Sequence, residues 1–388
     1  MSYPKIADYV EKQIKGLWGT DFDDNGIPVI KTNNLTYEGI IDYSDICKRN
    51  IDPKQAQNNY LQKGDLLIEK SGGTKTHSVG YVSYFDEDND KYLCNNFILA
   101  LRPKHKEINS KYLFYQIQFK YESNQFVDCF NKTTGIQNLK VSDYLNKEIK
   151  VPDIKKQNNI VLQLDKTRDV IAKNKALLEK YDILIKSRFI EMFGDIQTYK
   201  KEAFKDCSLF IDYRGHTPEV TETGEIRMIN AKSVGKGFFK YINEYITKEI
   251  YDVWMHRGFP KANDVLFVTE GHTFGNTCQV PSDFKIFALG QRVITIRGNE
   301  GKLNNFYLNS YMQTDDFNQD INKYKTGGTA QGIRSKDLIK VEIPIPPYEK
   351  QLQFAAFVQQ IDKSKFVVQK SLEKAEILYK SLMQEYFG

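Results

Sequence analysis

The stretch LEKYDILIKSRFIEMFG, residues 178–194, returns 194 positions later as LEKAEILYKSLMQEYFG, residues 372–388. Ten of the seventeen positions are identical, namely Leu178, Glu179, Lys180, Ile183, Leu184, Lys186, Ser187, Glu191, Phe193 and Gly194 with their counterparts, which is too many for chance resemblance. Working outward at the same offset, Gln137 meets Gln331, Asp143 meets Asp337, Ile149 meets Ile343, Pro152 meets Pro346 and Lys156-Gln157 meets Lys350-Gln351. With small shifts of offset, Ile98-Leu99-Ala100-Leu101-Arg102 lies over Val293-Ile294-Thr295-Ile296-Arg297 and Tyr112-Leu113 over Tyr307-Leu308. Further back, Gly64-Asp65-Leu66-Leu67-Ile68 lies over Asn263-Asp264-Val265-Leu266-Phe267, and Gly72-Gly73-Thr74 over Gly271-His272-Thr273. The chain is one unit of about 195 residues used twice, a domain duplication, since solenoid repeats have periods of about 20–50 residues.

Each unit has two parts. Residues 1–155 and 196–349 read as short β-branched runs broken by Asn, Gly and Asp, a mixed α+β domain. Strands are expected at Ile27–Ile30, Leu66–Ile68, Val79–Tyr84, Ile98–Leu101 and Ile149–Val151, and a helix over Lys111–Phe119. Residues 156–195 and 350–388 read as helices of about 35 residues, roughly 50 Å each. In the first, Ile160, Leu164, Thr167, Ile171, Asn174, Leu178, Tyr181 and Ile185 alternate in steps of four and three, a heptad seam. In the second, Val368, Leu372, Ala375, Tyr379, Leu382 and Tyr386 keep those steps, with a register slip expected near Ser364. One such helix could pack only on its own domain, but two matching seams favour a long antiparallel coiled coil. Thr167 and Asn174 would either fix register or face water at a bend.

The composition, 40% hydrophobic and 27% charged, belongs to a folded globular protein. No apolar run approaches the length needed to cross a bilayer, so a cytoplasmic protein without a membrane partner is expected. Five scattered cysteines without a C-x-x-C pair, and five histidines without ligand spacing, give no metal site. A net charge of +5 is mild for a nucleic-acid binder, but binding depends on local basic surface more than on the total.

No catalytic motif is complete. Ile345-Pro346-Pro347-Tyr348 contains the Pro-Pro-Tyr of adenine methyltransferases, yet Ile345 cannot accept a hydrogen bond from the target amino group. Gly72-Gly73-Thr74-Lys75-Thr76 lacks the Gly-Lys-Ser/Thr order of a phosphate loop. Pro152-Asp153 is followed by no acidic-x-Lys partner of a nuclease.

Gly64–Ile68, Thr134-Gly135-Ile136-Gln137, Ile149-Lys150-Val151-Pro152, Lys156-Gln157 and Phe193-Gly194 all recur with variation in the second half. In the order of these motifs the chain resembles the DNA specificity subunit of type I restriction-modification systems. Local departures are Asn263 for Gly64 and Thr329 for Gly135. The resemblance implies two target recognition domains, each reading one half of a split, asymmetric site on double-stranded DNA. It implies helices that set the gap and dock two modification subunits, which methylate adenine with S-adenosylmethionine, while this chain binds no cofactor. A motor and nuclease subunit can join such a complex. A stand-alone DNA methyltransferase or nuclease, or a scaffold binding only proteins through its coiled coil, are the alternatives.

Reading base edges needs side chains that donate and accept, backed by cations on phosphates. Three polar clusters recur at matched places. Lys31, Thr32, Asn33 and Asn34 face Asn230, Ala231, Lys232 and Ser233. Lys70, Ser71, Thr74, Lys75 and Thr76, in the loop ending at His77, face Thr269, His272 and Thr273. Lys132, Thr133 and Gln137 face Lys325, Thr326 and Gln331, with Arg334 just beyond. Each is a candidate DNA contact; the alternative for any one of them is a polar surface turn, and the third cluster, where both copies retain Lys-Thr, glycine and Gln, supports contact best.

Overall fold

The computed structural model describes residues 3–21, 26–74, 77–89, 91–132, 136–213, 218–327 and 331–388. In it the apolar runs at Leu66–Glu69 and Val265–Val268 are buried along their whole length, because each lies inside a sheet covered on both faces. Pleating sends alternate side chains to opposite faces. Leu66 and Ile68 join a core built with helix Ser110–Glu122, while Leu67 joins a second cluster with Ile30, Tyr81 and Ala100. Val265 and Phe267, against Leu266 and Val268, divide in the same way.

The chain forms two units, residues 1–174 with 371–388, and residues 175–370. In the first, an antiparallel sheet has the order Val10–Ile14, Ile98–Pro103, Leu66–Glu69, Val82–Tyr84. In the second, the order is Ser208–Asp212, Val293–Gly298, Val265–Val268, Thr277–Gln279. A three-stranded sheet with one antiparallel and one parallel pairing also recurs, as Cys47–Arg49, Ile27–Ile30, Leu93–Cys94 and as Tyr245–Ile246, Ile226–Ile229, Phe287–Leu289. The expected strand at Val79–Tyr84 narrows to Val82–Tyr84, since Gly80 takes a positive φ of 98°. Ile149–Val151 is not a strand: Ile149 donates one backbone bond to Pro4, whereas the matching Glu342–Pro344 pairs fully with Lys201–Ala203.

The two long helices, Ile154–Phe193 and Tyr348–Phe387, have 40 residues each, about 60 Å, rather than the 35 expected. The first begins two residues after Pro152 and the second directly after Pro346-Pro347. In the first unit, Ile160, Val161 and Leu164 enter one core with Met383 and Phe387, and the Tyr386 hydroxyl donates to Gln163 at 2.7 Å. In the second unit, Phe189 and Phe193 share a core with Phe354 and Val358. The pairing is antiparallel in both. Phe387 packs on Tyr112 with centroids 5.4 Å apart, and Phe193 on the matching Tyr307 at 4.9 Å. Each helix therefore ends in the core of the unit containing the other recognition domain, and the closing Phe-Gly recurs for that reason.

Along the first helix, Ile160, Leu164, Thr167, Ile171, Asn174, Leu178, Tyr181 and Ile185 are each more covered than most of their neighbours. The Asn174 amide donates across to Ser371 Oγ at 3.1 Å, while Thr167 turns its hydroxyl onto Gln163 of its own helix at 2.8 Å. Asn174 is thus a cross-helix pairing and Thr167 is not. The register slip near Ser364 is absent. The covered positions run Ile361, Lys365, Val368, Leu372 without a break, and Lys365 holds its seam position by pairing with Asp182 at 2.7 Å. A lysine where the seam calls for an apolar residue gives the sequence the appearance of a slip.

Candidate nucleic-acid interface

One buried ion pair fixes the framework of each unit. A left-handed turn at Gly64 (φ 98°) presents Asp65, which takes two hydrogen bonds from Arg102 at 2.9 and 2.8 Å and one from the Gln62 amide at 2.7 Å. Asp264 repeats this with Arg297 at 2.8 and 2.6 Å and with the Lys261 amide at 2.7 Å. The departure at Asn263 is harmless, because its φ is 66° and Asn tolerates that region better than other residues with a Cβ. The helix-entry glutamines match as well. Gln157 caps the Asn109 amide at 2.9 Å and Gln351 the Asn304 amide at 2.8 Å. These repeated residues hold the fold, and the variable loops hang from it.

In the first unit the three loops converge. Ser71–Gly72 pairs with Gln137–Leu139, which pairs with Phe130–Lys132. The Ser71 hydroxyl donates to Asn138 at 2.7 Å, and Gln137 Oε1 accepts from the Val79 amide at 3.2 Å. Gly72 takes a φ of 139°, which favours glycine, where the loop passes over the buried Glu69 carboxylate. Burial raises the Glu69 pKa above the usual carboxylate value. The loop after Asn34 closes the surface: Tyr37 stacks on His77 with centroids 3.7 Å apart.

The second unit brings the matching loops together by other bonds. Glu270 and Thr326 both bridge to Gly332, the Gly271 amide donates to Gln331, and Asn276 donates to the Val234 carbonyl at 3.3 Å. Residues 230–234, 269–276, 326–327 and 331–332 thus share one surface.

Several candidates are exposed there: Asn33, Thr74, Lys232, His272, Thr273, Thr326, Gln331 and Arg334. Lys31, Lys70, Ser71 and Lys325 are half-buried, Lys325 with its ammonium 5.5 Å over Phe274. Others are spent inside the fold. Asn34 is buried, with one bond accepted from the Lys31 amide and two donated to Asp42 and Asp45 carbonyls, so it cannot reach a base edge. Thr269 is buried with its hydroxyl on the Arg292 carbonyl at 3.3 Å. Gln137 holds the Val79 amide, and Asn230 caps its own turn while donating to Glu244. Lys75, Thr76 and Thr133 lie outside the described residues, and Lys132 enters only through its strand position.

Sequence reasoning missed Tyr37, Phe97 and Arg292. Phe97 and Arg292 stand at matched places immediately before the matched strands Ile98–Pro103 and Val293–Gly298, a placement that the strand alignment gives but that singles out neither side chain. Among the described residues no group of three or more His, Cys, Asp or Glu could hold a metal ion, and no helix is long and apolar enough to cross a membrane.

The family model for the type I restriction modification DNA specificity domain matches the chain twice, over residues 11–180 and 213–378. A Methanocaldococcus jannaschii chain named as a specificity subunit of type I restriction enzyme MjaX is 21% identical over 337 residues, covering 82% of this chain and 76% of that one. The MjaVIII specificity subunit of the same organism is 22% identical over 319 residues, covering 76% and 73%. Among solved structures, the S subunit of a type I restriction-modification system from M. genitalium superposes with a TM-score of 0.65 at 14% identity, over 100% of this chain and 96% of that one. At that identity the likeness is one of fold.

Proposed function

Because the chain belongs to the type I restriction-modification DNA specificity family and carries the family's domain twice, we propose that each domain reads one half of a split, asymmetric site on duplex DNA. The observation that carries this reading is the pair of matched frameworks, Asp65–Arg102 and Asp264–Arg297, each presenting three converging polar loops of different sequence. A shared scaffold with divergent loops is what two readers of unlike half-sites require.

The helices set the gap between half-sites and dock two modification subunits. The repeated pair Ile183-Leu184 and Ile377-Leu378 supports docking. These side chains are 62, 44, 69 and 50% exposed, away from the seam, and two like apolar patches suit two copies of one partner. Those partners would bind S-adenosylmethionine and methylate adenine, this chain would hold no cofactor and catalyse nothing, and a motor and nuclease subunit could join them. Chromosomal DNA as substrate implies a cytoplasmic location.

The test exchanges residues 196–349 for the equivalent stretch of a related subunit and maps methylated adenines across a genome. One half of the methylated sequence should change and the other should stay. Both halves changing together, or methylation by the purified chain alone, would refute the reading.

A further inference from the structure

One backbone position in each unit sits where the loops meet, and its side chain differs between the two. The Phe97 carbonyl accepts from the Lys70 amide at 2.7 Å and the Ser71 amide at 3.3 Å, and its own amide donates to Asn95 Oδ1 at 3.1 Å. Its peptide groups are fixed on both sides, yet the ring is 55% exposed. The Arg292 carbonyl likewise accepts from the Thr269 amide at 3.0 Å and the Thr269 hydroxyl at 3.3 Å.

Arg292 has φ 64°, a conformation that residues with a Cβ rarely adopt and that persists where the surroundings impose it. Its guanidinium lies over Gly271, where an added Cβ would come 3.9 Å from Nη1, and it pairs with Glu270 at 3.2 Å. The two side chains are 57 and 55% exposed, so the pair faces solvent at the loop surface rather than supporting a core. An isolated exposed Phe needs no explanation. A rigidly held one, matched by a strained arginine at the same point of a second loop surface, does.

We propose that this position is the discriminating finger of each reader: Phe97 makes apolar contact with a thymine methyl, and Arg292 makes a two-bond contact with guanine O6 and N7. The inference rests on the reading that these surfaces hold DNA. Both contacts follow from what the major groove displays, a methyl only on thymine and two adjacent acceptors on guanine. Glu270 is a positioning residue that orients the guanidinium before DNA arrives.

Genome-wide methylation mapping with the complete complex tests it. Arg292→Gly keeps the left-handed backbone without strain, and Arg292→Lys keeps the charge without the planar fork. Both variants should lose guanine preference at one position of the half-site read by the second unit, by on the order of 10- to 100-fold, with the other half unchanged. Phe97→Ala, with Phe97→Leu as the milder variant, should relax one thymine position of the first half-site only. An unchanged motif in Arg292→Gly overturns the proposal. So does a uniform loss across all sequences with the salt slope of binding reduced by about one, which marks a phosphate contact. If the unaltered complex methylates no two-part site, the underlying reading of the surfaces fails instead.

Discussion

The two units agree in what they bury and differ in what they expose. Asp65–Arg102 and Asp264–Arg297 have the same bidentate geometry, Gln157 and Gln351 cap matched amides, and Tyr112 and Tyr307 receive the closing phenylalanines of the two helices. On the loop surfaces little is shared. The first unit stacks Tyr37 on His77 and closes a three-stranded sheet through Ser71–Gly72, while the second ties its loops through bridges to Gly332 and a salt bridge from Arg292 to Glu270. Duplication preserved the residues whose loss would leave a buried charge or an unpaired amide, and left free those that only water or DNA meets.

The heaviest test of that comparison falls on the buried pairs. Asp65→Asn leaves Arg102 largely covered without its anion, and Asp264→Asn does the same to Arg297. Breaking such a pair costs about 3–5 kcal/mol, with the lower end expected because the arginine side chains keep 14 and 23% exposure. Hydrogen exchange measured unit by unit should show each variant destabilising its own unit by a similar amount. A loss confined to one of the two variants would break the equivalence of the frameworks.

A middle-sized effect is expected from the helices. Asn174 faces Ser371, so a lengthened ruler needs both helices extended, by four residues after Lys173 and four after Lys370. Four residues add about 6 Å of rise, and a base pair occupies about 3.4 Å. The gap between half-sites should grow by one or two base pairs while the bases read by each unit stay the same, which methylation mapping would reveal. Altered half-sites with an unaltered gap would mean that the helices do not measure distance.

The parts legible in the sequence were those governed by periodicity and duplication. The heptad positions from Ile160 to Ile185 are the covered row of the first helix because side-chain spacing on a helix follows directly from residue spacing. Lys365 misled the reading of the second seam, since its place depends on Asp182 of the other helix, a contact that no local pattern records. The loops were legible only as groups. Asn34 and Thr269 have the right chemistry for base edges, but their atoms are consumed by backbone carbonyls 8 to 23 residues away and, for Asn34, by the nearby Lys31 amide. Phe97 was invisible because nothing in an isolated phenylalanine says that its backbone is bonded at the centre of a loop cluster.

The smallest expected effect distinguishes the basic groups of the two loop surfaces. Lys232 lies 2.6 Å from Glu244, whose carboxylate is 16% exposed, whereas Lys31 lies 3.2 Å from Asp45, which is 88% exposed. The hydrogen bond from Lys232 is the main reason that the Glu244 pKa lies below its ordinary value. A depressed carboxylate pKa means that the pair's stabilisation is present above the ordinary value and lost only as pH falls through the depressed one. The pair is therefore intact at neutral pH, and Lys232 must leave Glu244 to meet a phosphate. Glu244→Gln removes the competing charge and keeps an oxygen to accept from Asn230. DNA affinity at low salt should rise by roughly two- to five-fold, and the salt slope should steepen by about one as Lys232 becomes available. Asp45→Asn should do less, because a solvent-screened partner restrains Lys31 weakly. If Glu244→Gln instead weakened binding, Glu244 would be holding Lys232 and Asn230 in place for DNA rather than away from it, and the pair would belong to the conserved framework instead of the adaptable surface.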